Sequence, residues 1–132
     1  MVVVEYLLDT HTYLWALRGE QKLGNKAKKI ILNTKFVKFV SAVSAYEIMY
    51  KHQLGKLPEY ESIAENYFEA LHKFGADELP INVRHAHFAG KFDWTHRDPF
   101  DRLLAAQAFT ENMALLTNDT AFDALPWLNT LW

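Results

Sequence analysis

The segment that most constrains the fold is residues 2–17, VVVEYLLDTHTYLWAL. A short valine-rich apolar run ends abruptly at Asp9, and the chain then passes through Thr10, His11 and Thr12 into apolar residues 13–17. A continuous apolar run of this length fits a strand buried on both faces, as in a parallel sheet. The polar run after it fits a helix start. Asp9 then lies at the carboxyl end of a first strand, where open α/β sheets place their ligands.

The pattern recurs. Residues 36–41, FVKFVS, and 114–117 read as further strands; 78–81 is a short one weakened by Pro80, and 130–132 a last edge strand. Residues 25–33, 44–55, 62–74 and 82–92 read as helices, and Asp98-Pro99 opens another. Ser44-x-x-Glu47 has the form of a capping box and Gly55 of a stop signal. Ile63, Tyr67, Phe68, Leu71 and Phe74 form an apolar stripe that Gly75 ends. Strands alternating with helices mean right-handed crossovers and a parallel sheet covered on both faces. The expectation is an α/β protein: one three-layer α/β/α domain over residues 1–132, with a mainly parallel sheet of four or five strands.

A chain of 132 residues can bury one real core, and its 50% apolar and 23% charged residues are those of an ordinary globular protein. No apolar run approaches the length of a membrane span, and the start lacks a signal-peptide pattern. The expectation by default is a cytoplasmic protein. With no cysteine, disulfides, zinc–thiolate sites and thiol nucleophiles are excluded. Residues 1–60 hold nine Lys/Arg against five Asp/Glu, and residues 61–132 five against eleven. The basic first half suits phosphate contact. One solvated helix face bearing Lys22, Lys26, Lys28 and Lys29 explains it equally well.

Several acids stand at related positions. Asp9 and Asp119 follow buried strands, Glu47 lies in the first turn after FVKFVS, and Asp101 opens the helix that feeds the ALLT strand. In a parallel sheet all strand carboxyl ends share one edge, so these four can converge. Carboxylates packed together repel, and a divalent cation removes that cost. Oxygen ligands without cysteine favour Mg²⁺ or Mn²⁺ over zinc. Such a site suits phosphodiester hydrolysis, in which the metal activates water and neutralises developing charge. Each acid alone has a plainer explanation. Asp9 and Asp98 fit helix caps, Glu47 the capping box, and Asp119 a turn.

At these residues the sequence resembles the PIN domain, in particular VapC-type toxin ribonucleases of toxin–antitoxin pairs. The segments that carry the resemblance are LLDTHTYLW, SAVSAYEI, HRDPFDRLLAAQA and LLTNDTAF, and together they span essentially the whole chain. The resemblance implies a PIN-like fold, a Mg²⁺- or Mn²⁺-dependent endoribonuclease acting on RNA, a homodimer, and a cognate antitoxin that blocks the site. DNA would be met only indirectly, through the antitoxin. By the family pattern Asp9, Glu47, Asp101 and Asp119 are catalytic metal ligands or their close support. Asp98 is a helper, and Thr117 matches a small polar position beside the metal. His11 and Arg102 flank the site as substrate contacts, with Arg102 either binding phosphate or pairing with Asp98. A helical arm at about 44–74 would serve dimer or antitoxin contact, although a stripe such as Tyr67, Phe68, Leu71 and Phe74 is more often simply core.

Two rivals remain at this point. LLDTHT and LLTNDTAFD approximate the motifs of haloacid-dehalogenase-like phosphatases, with Asp9 as nucleophile and Asp119 and Asp123 correctly spaced. His11, however, stands where that family has its general-acid Asp, and Glu47 and Asp101 would have no role. The other rival is a non-catalytic PIN-like scaffold that binds RNA or protein.

Overall fold

The computed structural model describes residues 4–19 and 21–132. The central sheet has five parallel strands: β1 (Glu5–Leu8), β2 (Val37–Ser41), β3 (Asp77–Leu79), β4 (Ala114–Leu116) and β5 (Thr130–Leu131). Their order is β3-β2-β1-β4-β5. The chain builds outward from β1 through β2 to β3, then crosses back to the other side of β1 for β4 and β5. The switch point of this sheet therefore falls between β1 and β4, and crevices at such points are where open α/β sheets bind ligands. Leu7 pairs with Phe39 on one side and Leu115 on the other.

Seven α-helices are described: α1 (Thr10–Leu17), α2 (Asn25–Leu32), α3 (Ala42–Gln53), α4 (Glu61–Glu65), α5 (Tyr67–Phe74), α6 (Val83–Lys91) and α7 (Pro99–Thr110). Alternation along the strands sorts the apolar side chains into two cores. Tyr6, Leu8, Val40 and Leu116 pack with Tyr13 and Leu14 of α1, Ile30 of α2, and Tyr67 and Leu71 of α5. Leu7, Leu79 and Leu115 pack with Leu104, Ala105 and Ala108 of α7 and with Phe122, Leu125 and Leu128 near the end of the chain. Two cores on opposite faces of one sheet make the expected three layers.

Several boundaries differ from the sequence reading. Val2 and Val3 of the expected first strand lie outside the described residues. The third strand begins at Asp77 and stops before Pro80, which has no N–H for a ladder. The expected capping box at Ser44 is displaced. The cap of α3 is Ser41, whose hydroxyl accepts from Val43 N at 2.9 Å. β2 runs straight into α3, so its last residue does the capping, and Ser44 bonds Thr10 Oγ1 at 2.9 Å instead. The helix expected over 62–74 breaks at Asn66, where the Nδ2 donates to Ser62 O at 2.9 Å. Asparagine in mid-helix competes for backbone groups in this way. Within the stripe Tyr67 and Leu71 are buried, but Phe68 is 75% exposed. Gly75 closes α5 in the left-handed region, at φ 82°.

Candidate active site

Four structural elements deliver acids to the carboxyl edge of the sheet. Asp9 ends β1 and caps α1, its Oδ1 accepting from Thr12 N at 2.7 Å. Its Oδ2 accepts from the Thr117 hydroxyl, which sits just past β4. The Asp9 N–H donates to Leu116 O at 3.2 Å, so β1 and β4 hold this carboxylate from both sides of the switch point. Asp119 follows β4 and caps a short 3₁₀ turn (Thr120–Ala124), its Oδ1 accepting from Ala121 N at 2.9 Å. Asp98 caps α7, with its Oδ1 2.9 Å from Phe100 N, and Pro99 fills the first helical position. The plainer capping roles are thus real for these three acids, and each also lines a cavity.

That cavity, of about 250 Å³, is walled by Asp9, Thr10, His11, Trp15, Glu47, Lys51, Asp98, Asp101, Asn118 and Asp119. The structure therefore brings the four sequence-predicted acids, with Asp98 and His11, around one cavity. The tightest group of potential ligands among the described residues is smaller: His96, Asp98 and Asp101, with one ligand atom each, all within 4.8 Å of one another. Asp101 alone of the four belongs to it. Thr117 lines a neighbouring cavity.

Arg102 is not on the acidic wall. Its guanidinium donates to Ala89 O at 2.9 Å, Phe92 O at 2.5 Å, Trp94 O at 3.2 Å and His96 O at 3.5 Å. It also lies over the Phe92 ring, 4.3 Å from its centre. These carbonyls, rather than Asp98, are its partners, and it binds the DWTHRD loop to the end of α6. This matters to the site because the loop carries His96, whose Nε2 lies 2.7 Å from Asp101 Oδ2.

The electrostatics follow from burial and crowding. Burial pushes the Asp9 carboxyl above its usual range, against the hydrogen bonds from Thr117 and Thr12. Asp101 is pushed up to about 6, chiefly by burial. The His96 hydrogen bond works against this, while the negative charges of Asp98 and Asp119 reinforce it. Glu47 is buried, and its Oε2 lies 2.5 Å from Lys51 Nζ. Sequence reasoning missed Lys51. The signal was its place four residues after Glu47 on one helix face.

The residues fit a hard divalent cation. Their donors are carboxylate oxygens with one imidazole, and no thiolate is available. At Asp101 the negative charges of Asp98 and Asp119 add to burial in raising the proton affinity, the repulsion that a bound cation would offset. The phosphatase rival fares worse, since Asp123 lines the neighbouring cavity, away from the wall that holds Asp9.

Comparison with known proteins agrees with this architecture. The PIN domain family model matches residues 6–128, and the chain belongs to that family. Among curated proteins, none matches the sequence significantly. Among solved structures, the chain is similar to one from VapBC2 of Rickettsia felis bound to a promoter DNA fragment. The TM-score is 0.67 at 19% identity, over 98% of this chain and 99% of that one. A DNA-bound VapBC from Salmonella typhimurium gives 0.66 at 18%, over 98% of each chain. FitAcB from Neisseria gonorrhoeae gives 0.65 at 18%, over 96% of each. At such identities these likenesses concern the fold. Among the described residues no helix is long and apolar enough to cross a membrane.

Proposed function

We propose that this protein is a Mg²⁺- or Mn²⁺-dependent endoribonuclease, the toxin of a type II toxin–antitoxin pair. The observation that carries the reading is the single cavity walled by Asp9, Glu47, Asp98, Asp101 and Asp119 at the switch point of the sheet. Asp9, Glu47, Asp101 and Asp119 would hold the cation, with Asp98 beside them. A bound divalent cation supplies activation of water and neutralises charge on the phosphate as its bridging bond breaks.

The chain's own residues prepare the site. Thr117 and Thr12 fix the two oxygens of Asp9. His96 fixes Asp101, and Arg102 fixes the loop that carries His96. Lys51 offsets the charge of Glu47. His11 and Asn118 stand on the cavity wall, where a phosphodiester would approach.

The partner reading rests on family membership and on the likeness to chains of VapBC complexes. The partner would be a small antitoxin that covers the cavity, and the toxin itself would form a homodimer. The arm at 44–74, now α3 to α5, would serve those contacts.

The test is cleavage of single-stranded RNA. Wild-type protein cuts with Mg²⁺ or Mn²⁺ and stops cutting in EDTA. Asp9→Asn, Asp101→Asn and Asp119→Asn keep the fold and lose cutting. Near-wild-type rates in these variants would overturn the site. Wild-type protein that binds RNA and never cuts it would leave the scaffold reading in its place.

A further inference from the structure

A second cavity adjoins the acidic one, with a volume of about 230 Å³. Asn118 and Asp119 line both. The two are joined a second time by aromatic rings. Trp15 walls the acidic cavity and Trp132 the second, and the indoles meet edge-on with centroids 5.9 Å apart. His11 also meets Trp15 edge-on, at 5.9 Å, and the Lys22 ammonium lies 5.6 Å from the Trp15 ring centre.

Trp132 is held firmly. Its carbonyl accepts from Lys26 N at 3.1 Å and Ala27 N at 3.3 Å, at the start of α2. Its indole lies so close to Gly24 that a Cβ there would come within 2.5 Å of Trp132 Cδ1. The glycine makes room for the ring, and the helix end fixes the backbone behind it.

We propose that this second cavity is a nucleoside subsite, holding the base and ribose of one unpaired nucleotide beside the phosphate to be cut. The inference rests on the nuclease reading for the position of that phosphate. Four features choose the ligand class. Trp132 offers an aromatic surface to a base, and only an unpaired, splayed base presents its face for stacking. Asp123 opposes an anion in the cavity, and its carboxylate accepts hydrogen bonds from ribose hydroxyls or base amino groups. Thr120 and Thr130 add hydroxyls that donate or accept. The anionic part of the nucleotide is left to the shared Asn118–Asp119 rim, next to the cation site, with Lys22 near the Trp15 edge. Apolar, hydroxyl and carboxylate groups together suit a nucleoside better than a phosphate or a peptide carboxylate.

The experiment is a protein-by-ligand cycle. Short single-stranded RNAs, each with one abasic position, are titrated by fluorescence anisotropy in EDTA, where no cutting occurs. The protein carries Asp9→Asn and Asp101→Asn, which lowers repulsion in the acidic cavity, with Trp132 either intact or changed to Leu. With Trp132 intact, one abasic position weakens binding about ten- to hundredfold. In Trp132→Leu the same abasic position has no further effect, and Trp132→Phe restores most of it. Should the leucine variant fold poorly, Asp123→Ala, at an exposed residue of the same cavity, takes its place, and the abasic penalty at that position is expected to shrink in it. Equal losses at that position in all three proteins, or no position that stands out, overturn the subsite. Wild-type protein that cuts RNA without this coupling overturns the subsite alone. Coupling in a protein that never cuts overturns the nuclease reading and leaves the subsite on an RNA-binding scaffold.

Discussion

Lys51 Nζ sits 2.5 Å from Glu47 Oε2, one helical turn away along α3, and both side chains face the acidic cavity. Glu47 is the more buried partner, with 7% of its side chain exposed against 29% for Lys51. The lysine is therefore the counter-charge that lets this carboxylate be buried. Removing one partner of such a pair costs more than removing both, because a lone buried charge remains. Lys51→Met is expected to lower stability by about 1–3 kcal/mol, a figure reduced for the partial exposure of the lysine. The double variant Glu47→Gln, Lys51→Met recovers most of the loss. Urea unfolding of the four proteins at low salt measures the cycle. A Lys51→Met midpoint equal to wild type would show that the pair contributes nothing.

Asp101 links acidity to the cation. Its carboxyl titrates near 6 in the cation-free fold, above its usual range, for the reasons of burial and neighbouring charge already given. Between its unfolded value and about 6 the native state binds more protons than the unfolded state. Stability from this group is therefore present at low pH and is lost as pH rises through about 6. Asp101→Asn should raise the cation-free stability at pH 8 by on the order of 1–2 kcal/mol, read as a higher melting temperature, and change it little at pH 4. Protons and cation also compete for the same oxygens. Mn²⁺ affinity, followed by calorimetry, should fall by about tenfold per pH unit below 6. A pH-independent affinity between 5 and 8 would mean that Asp101 does not bind the ion.

Much of this was legible in the sequence because strand periodicity and cap chemistry are local signals. The apolar run ending at Asp9 placed the first strand end, and Asp98-Pro99 placed the start of α7 with its cap. The convergence of Asp9, Glu47, Asp101 and Asp119 followed once the sheet was taken as parallel. What was not legible depends on angles between elements. Nothing in the sequence says that Ser41 rather than Ser44 caps α3, since either serine followed by helix formers satisfies the pattern. Lys51 was hidden for the same reason: i,i+4 charge pairs are common on exposed helix faces, and only packing shows that this pair is turned inward. The carbonyl bracing by Arg102 was not legible either, because it depends on the path of a loop, whereas an arginine among acids suggests a charge partner. The pairing of Trp15 with Trp132 joins residues near opposite ends of the chain, and no local pattern encodes it.

Arg102 gives the last prediction. Its guanidinium spreads its N–H groups over four carbonyls between Ala89 and His96 and stacks on Phe92. A lysine has the charge but not the planar fork, so it cannot reach these carbonyls together. Arg102→Lys is expected to cost about 2 kcal/mol or more, since several hydrogen bonds from a charged donor are lost at once. The loop that carries His96 then loosens, and with it the hydrogen bond that fixes Asp101. RNA cutting should fall in kcat, with Mn²⁺ affinity weakened in parallel, while KM for RNA changes little. A phosphate-binding role makes the opposite forecast: Arg102→Lys would keep its stability and its kcat, and KM would rise with salt. Melting curves and steady-state rates on the same preparations separate the two, and unchanged stability with a raised KM would remove the bracing role.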